Sequence, residues 1–356
     1  MATNFDDFKL AVESISGGKN TVKLDDLGMP SVMVPFPTLK YSDIMDGGTT
    51  DILPGFLIEN VEKKMYISKF LNIVINGRAY SLPMKDPRAN ITFDAAIAAC
   101  RAKGAGWGLN TAALWGAIMS WCYKNQTVPR GNNNYGASYE AAHEKGIAAA
   151  YDSSIPPKVT RTLTGSGPET WYHNHQTTGI ADLVGNVNEW VAGLRLVYGE
   201  IQIIPYSDAL KSDVNMGESS TEWKAILQDG SLVEPGTAGT LKYDGETSTG
   251  GIRLNTEVEF TTSTMANTYA TKAFGTIAAK AGVTVPALLY ALGLMPIPGI
   301  TYGNGTVYMR NHEAERLPYR GGLYSITAGA GLGALNLSGP RSYSYVTVGF
   351  RSAFFE

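Results

Sequence analysis

Glycine is what most limits the folds open to this chain. Forty of its 356 residues are glycine and a further 17 are proline, spread from end to end. Punctuation this dense favours loops and short strands over long helices. The longest apolar run, Val283 to Ile300, is broken by Pro286, Pro296 and Pro298, so no stretch reaches the roughly 20 apolar residues of a membrane span and no membrane insertion is expected. With 44% hydrophobic and 17% charged residues, the chain is globular rather than disordered. Its length suggests about two or three domains. A net charge of −3 gives no electrostatic footprint for nucleic acid. The first residues, MATNFDDFKLAVESIS, show neither the basic nor the apolar region of a secretory signal, so synthesis in the cytoplasm is expected. Cys100 and Cys122 permit one disulfide but leave the redox compartment open.

The C-terminal stretch from Arg320 to Phe355 has an unusual composition. Its ends carry Arg320-Gly321-Gly322 and Gly349-Phe350-Arg351. From Leu323 to Phe350 there is no Lys, Glu, Gln, Met, Trp or Asp, and Arg341 is the only charge. Small residues with isolated tyrosines are also the chemistry of antibody-type paratopes. A glycine-rich loop closing a β-domain, with Tyr343 and Tyr345 exposed by strand alternation, fits the same composition.

Upstream, residues 1–55 are short apolar pieces between turn signals and read as a β-rich lead-in. It could dock on the main domain or serve as an attachment or oligomer contact. Lys64–Ser68 and Leu71–Ile75 read as strands, and Asn76-Gly77 is a hairpin turn signal. Thr92 caps a helix that runs to Gly104, and Asn110-Thr111 opens a second one that buries Leu114, Trp115, Ile118 and Trp121. His173 and His175 could converge on a metal only from an extended segment, and no third ligand accompanies them. Glu189, set between Val187 and Val191, needs a partner if buried. Arg320 and Arg351 are the candidates. Residues 199–310 read as an insertion, turn-rich at first, with an Ala-rich, mostly helical part from Thr264 to Leu294.

Five pieces in order carry a resemblance. They are Thr92-Phe93-Asp94-Ala95-Ala96, Gly106-Trp107-Gly108-Leu109-Asn110-Thr111 with Leu114-Trp115, Gly185-Asn186-Val187-Asn188-Glu189-Trp190, Arg320-Gly321-Gly322 and Gly349-Phe350-Arg351. Together they resemble the formylglycine-generating-enzyme type of the C-type lectin fold. That implies an α+β class of mixed short strands, two helices and long loops over residues 56–356, with the insertion at 199–310 and a variable ligand-binding region at 320–356. The C-terminus is similar to the variable region of diversity-generating retroelement target proteins. In that frame Arg320–Gly322, Ala334–Leu337, Arg341-Ser342 and Gly349–Ala353 are fixed. Error-prone reverse transcription at template adenines diversifies the positions between. Adenine-rich Asn codons can become Tyr, Ser, Ile, Thr, Gly, Leu or Val, but not Lys, Glu, Gln, Met or Trp, which are the residues missing here.

On the resemblance, the substitutable, ligand-binding positions are Leu323, Tyr324, Ser325, Ile326, Gly329, Ser338, Gly339, Tyr343, Tyr345 and Thr347. The scaffold anchors are Glu189, Trp190, Arg320, Gly321, Gly322, Arg341, Gly349, Phe350 and Arg351. It further implies a diversified binder, such as a phage tail-fibre receptor-binding protein that sets host tropism. The expected partner is a host cell-surface receptor, protein or glycan. A homo-oligomer, with a trimer favoured, and a virion location at the phage tail tip follow. A bacterial surface adhesin is the alternative. No cofactor is expected, with a structural Ca²⁺ left open. An oxidase of the formylglycine-generating type would need a cysteine pair in the C-terminal half, and no Cys follows Cys122, so no enzyme activity is expected.

Overall fold

The computed structural model describes residues 4–265 and 268–356. Strands dominate and helices are few, a mixed α+β arrangement of three main sheets. The first sheet has the order Thr21–Leu24, Pro30–Phe36, Met65–Ser68, Ser352–Phe355, Trp107–Leu109. The chain end therefore lies between two upstream strands, antiparallel to both, with Ala353 opposite Ile67 on one side and Gly108 on the other. The second sheet runs Ala270–Ala273, Thr306–Met309, Gly331–Gly339, Leu317–Gly321, Asn188–Trp190, Val348–Phe350. Arg351 sits where the last strand of this sheet passes into the first sheet.

Local signals account for several elements. Thr92 Oγ1 accepts from the Ala95 amide at 3.3 Å and starts the helix Phe93–Arg101. Thr111 Oγ1 accepts from the Leu114 amide at 3.1 Å and starts Ala112–Lys124. A hydroxyl oxygen at each N-cap satisfies one of the amides that the first turn leaves free. The second helix buries Leu114, Trp115 and Ile118 in the main core, with Trp121 half-buried against it. Trp115 Nε1 donates to the Leu332 carbonyl at 2.9 Å, which ties this helix to the strand Gly331–Gly339. Asn76 and Gly77, at φ +49° and +77°, form the expected hairpin turn between Asn72–Ile75 and Arg78–Ser81.

Two expectations are corrected. Residues 1–55 are not simply β-rich: Asn4–Ile15 is a helix with Asp6 and Asp7 in its first turn. Its Phe8 and Val12, four residues apart, pack against Val32, Phe70 and Tyr172. The next strands join the first sheet directly, and Phe36, Leu39, Ile44 and Leu53 enter the main core. The segment is thus docked on the rest of the chain.

The Ala-rich part from Thr264 to Leu294 is not mostly helical. Within its described residues the α-helix is the five-residue Ala287–Ala291. Ala270–Ala273 pairs with Thr306–Met309, and Ala278–Ala279 lies parallel to Gly250–Asn255. Gly275, Gly282 and Pro286 cut the run into pieces too short to propagate a helix. The third sheet, built mainly from Glu200–Ile203, Lys224–Ile226, Lys242–Thr247 and Gly250–Asn255, buries Tyr243, Ile252 and Leu254 against the main core.

Candidate functional site

The frame of the site is a buried ion pair. Glu189 lies on Asn188–Trp190, between Leu317–Gly321 and Val348–Phe350. Arg351 Nε donates to Glu189 Oε2 at 2.5 Å and Nη2 donates to Oε1 at 2.8 Å. The remaining donors reach the carbonyls of Ser68 at 2.9 Å and Ala181 at 3.0 Å. Both side chains are essentially inaccessible. Burial pushes the Glu189 carboxyl up from its ordinary value, against the pull of Arg351. Of the two partners open in the sequence, Arg351 is the one used. Arg320, also fully buried, donates from Nη2 to the carbonyls of Leu292 and Gly293 at 3.1 and 3.0 Å. It thereby fastens the insertion to the frame, and burial pushes it down to about 10.

The other anchors pack around this pair. Trp190 Nε1 donates to the Ile91 carbonyl at 2.9 Å, and its ring meets Phe93 and Tyr319 edge-on. Phe350 is buried in the same cluster. A Cβ on Gly349 would lie 2.6 Å from the Arg88 carbonyl oxygen, so only glycine fits there. Gly321 and Gly322, at φ +86° and +84°, turn the chain out of the sheet into the C-terminal run. Arg341 is held by Glu315 through Nε and Nη2, both at 2.9 Å. It also reaches Asp94 at 2.6 Å and the Met216 carbonyl at 2.8 Å.

Over this frame the ten predicted substitutable positions divide. Leu323, Tyr324, Ser325, Ile326, Gly329, Ser338 and Tyr343 are half-buried, and Tyr345 is 55% exposed. Gly339 and Thr347 are buried, although both are among the positions expected to bind ligand. A Cβ on Gly339 would meet the Tyr319 ring at 3.0 Å. Thr347 lies at the edge of the ladder, where its carbonyl accepts the Asn188 amide at 2.8 Å. The 340–347 segment is a turn rather than a strand. Within it, Tyr343 stacks on Tyr319, with centroids 5.7 Å apart and planes at 15°.

Some residues of this face were not anticipated. Tyr135 donates its backbone N–H to the Tyr324 carbonyl at 2.7 Å, and the two rings lie 5.7 Å apart. Asn90 donates its backbone N–H to the Tyr345 carbonyl at 2.9 Å, and its Oδ1 accepts from Ser344 Oγ at 2.8 Å. Thr306, Tyr308 and Asn188 line a cavity of about 220 Å³ together with Leu323, Ile326 and Gly329. The strand Thr306–Met309 alternates half-buried and buried residues. Its Thr-Val-Tyr-Met pattern was the available signal for an outward Tyr308. Tyr135, in an Asn- and Gly-rich loop, carried no such signal.

The remaining reactive groups are accounted for by burial. Cys100 and Cys122 are both free and buried, and burial raises both thiols, Cys100 to about 12. A thiol held protonated out of solvent is not a nucleophile. His173 Nδ1 accepts the Ile180 amide at 2.7 Å, and burial, with Arg351 adding to it, pushes His173 down to about 3. His175 Nε2 instead contacts the Val128 carbonyl at 3.2 Å. Among the described residues no group of three or more His, Cys, Asp or Glu is placed to hold a metal ion, and no helix is long and apolar enough to cross a membrane.

The buried frame and the partly exposed C-terminal run belong to an α+β scaffold. Among solved structures the chain is similar to Treponema denticola variable protein 1, at 12% identity over 94% of this chain and 98% of that one, with a TM-score of 0.34. It is also similar to a Major Tropism Determinant P3c variant, at 10% identity over 94% of this chain and 71% of that one, with a TM-score of 0.33. No protein-family model matches the sequence, and no curated protein matches it.

Proposed function

We propose that this chain is a diversified ligand-binding protein with a C-type lectin fold, whose C-terminal face is varied by a diversity-generating retroelement. The observation that carries this reading is the division of labour in the last 37 residues. Arg320, Gly349, Phe350 and Arg351 are buried in the frame, while Leu323–Ile326, Gly329, Ser338 and Tyr343 are half-buried and Tyr345 is exposed. Side chains on such a face can change while the core stays as it is, because surface substitutions generally cost within about ±0.5 kcal/mol.

The context that fits best is a phage tail fibre, with the face reading a host cell-surface receptor and the chain assembled as a homo-oligomer, a trimer by preference. Repeated copies would add avidity to a weak single site. The reading assigns no cofactor. A bacterial surface adhesin would use the same face, and probing purified virions for the chain separates the two settings. The first experiment is deep sequencing of the 3′ end of the gene across a population of its source. Substitutions concentrated at the ten predicted codons, with Arg320, Gly349 and Arg351 fixed, are expected. An invariant region would overturn the retroelement reading.

A further inference from the structure

We infer that the binding face has a constant half, supplied by Tyr308 and Tyr135 from outside the C-terminal run, and that its partner is a protein that seats one apolar side chain between Tyr308 and Ile326. The inference rests on the proposed function and names the partner class of that same face.

The cavity is lined from several segments: Leu323, Ile326 and Gly329 of the C-terminal run, Thr306 and Tyr308 of an upstream strand, and Asn188 with part of the strand Gly331–Gly339. The wall made by Thr306 and Tyr308 is rigid for a structural reason. Thr306–Met309 is held in the sheet on both edges, antiparallel to Ala270–Ala273 and parallel to Gly331–Gly339, with Tyr308 paired to Thr271 and Asn336. Val307 and Met309 are locked in the core. Strand alternation then leaves Thr306 and Tyr308 facing outward. Tyr269, 41% exposed, backs the Tyr308 ring at 5.9 Å. Whatever residues occupy positions 323, 326 and 329, this aromatic wall stays.

Tyr135 borders the run at Tyr324, outside the cavity. Its ring lies 5.7 Å from Tyr324 and is itself covered by Lys158 Nζ at 4.8 Å from the centroid. Its backbone bond to the Tyr324 carbonyl does not depend on the side chain at 324. Tyr308 and Tyr135 are thus both positioned by residues outside the substitutable side chains. Rigid tyrosines of this kind supply contact area at little entropic cost.

The size and lining of the cavity choose the partner. At about 220 Å³ it falls below the roughly 300–1,000 Å³ of a small-molecule pocket. It suits a single side chain of the sort that anchors a protein interface. Leu323, Ile326 and the Tyr308 ring make its walls mainly apolar, and no charged residue lines it. An apolar side chain fits this lining better than a hydroxyl-rich sugar ring or an anionic group does.

The test uses the full chain and a displayed library of random linear peptides, with a glycan array in parallel. Enrichment of peptides sharing one Phe, Leu, Ile or Trp is expected. Tyr308→Ala should weaken an enriched peptide about tenfold, Tyr135→Ala less, and Tyr308→Phe hardly at all. Thermal melts of each variant establish that it is folded. Ile326→Ser should change which peptides are selected. Peptides that respond to Ile326→Ser but not to Tyr308→Ala or Tyr135→Ala would leave the binding face standing and overturn the constant half. Glycan binding without peptide enrichment would overturn the protein partner alone. Binding insensitive to positions 323, 324 and 326 would overturn the proposed function as well, and no enrichment on either library overturns the inference.

Discussion

Arg320 and Glu189 are directly opposed in the antiparallel ladder between Leu317–Gly321 and Asn188–Trp190, yet their side chains serve different partners. Glu189 pairs with Arg351 from the neighbouring strand end, and Arg320 reaches the carbonyls of Leu292 and Gly293. One arginine locks the chain terminus and the other locks the insertion, so two distant segments are tied to one short strand.

Removing the carboxylate charge at the centre should be costly. Glu189→Gln leaves Arg351 buried and uncompensated, and a loss of about 3–5 kcal/mol is expected from urea unfolding. Arg320→Met should cost less, because Arg320 has no ion pair among the described residues and its burial is unopposed by a carboxylate. Equal losses from the two variants would contradict this assignment.

Asp182 supplies a pH test. Burial raises its carboxyl from 3.8 to about 6, although the Gly165 amide and Arg351 both act to lower it. Its folded value lies above its unfolded value. The stabilising contribution is therefore complete below about pH 3.8 and is lost as pH rises through about 6. Asp182→Asn should consequently look worse relative to the parent at pH 4 than at pH 8, by up to about 3 kcal/mol. Urea melts at the two pH values measure this, and a pH-independent difference would rule it out.

Gly349→Ala tests the frame by close approach. The added Cβ would meet the Arg88 carbonyl oxygen at 2.6 Å and Val187 Cγ2 at 3.0 Å. A backbone oxygen cannot move aside as a flexible side chain would. A loss of about 1–3 kcal/mol is expected from denaturant unfolding. An unchanged melting temperature would show that the frame yields at this point.

The face itself should be permissive. Leu323→Thr, Tyr324→Ser and Tyr345→Ser are each expected to change stability within about ±0.5 kcal/mol, and Ile326→Thr to cost about 1 kcal/mol, because Ile326 packs against the main core. Thr347→Tyr, at a buried position beside Asn188, is expected to cost more than any of them. Thermal melts of the five variants decide whether burial separates the substitutable positions as the structure does.

Arg341 should hold the 340–347 turn. Arg341→Ala removes its bonds to Glu315, Asp94 and the Met216 carbonyl, and a loss of about 2 kcal/mol is expected. Hydrogen exchange should quicken at Tyr343 and Val348, whose amides close the turn onto the carbonyls of Pro340 and Tyr345. Unchanged exchange there would place the role of Arg341 elsewhere.

Much of the scaffold was legible because its signals are local. Thr92 and Thr111 cap helices by reaching amides three residues on, and Asn76-Gly77 closes its hairpin by its own dihedral preferences. The Ala-rich run misled for the same reason. Alanine favours helix, but Ala270–Ala273 had a strand edge waiting at Thr306–Met309, and that tertiary pairing overrode the propensity. The N-terminal helix was hidden behind the Ser16-Gly17-Gly18 turn. Its apolar spacing has meaning only once Val32, Phe70 and Tyr172 provide a surface for Phe8 and Val12.

By itself the sequence determined the frame residues at the two ends of the C-terminal run, the absence of most charged residues between them, and the need of Glu189 for a cationic partner. These are properties of residue type and near neighbours. Only the tertiary structure decided that Arg351 rather than Arg320 meets Glu189, that Gly339 and Thr347 are buried, and that Tyr135 and Tyr308 border the face. Each of those outcomes depends on which strand ends cross in space. Tyr135 and Tyr324 are brought within ring contact by two irregular segments far apart in the chain, joined by the Tyr135 amide and the Tyr324 carbonyl, and no local propensity encodes that meeting.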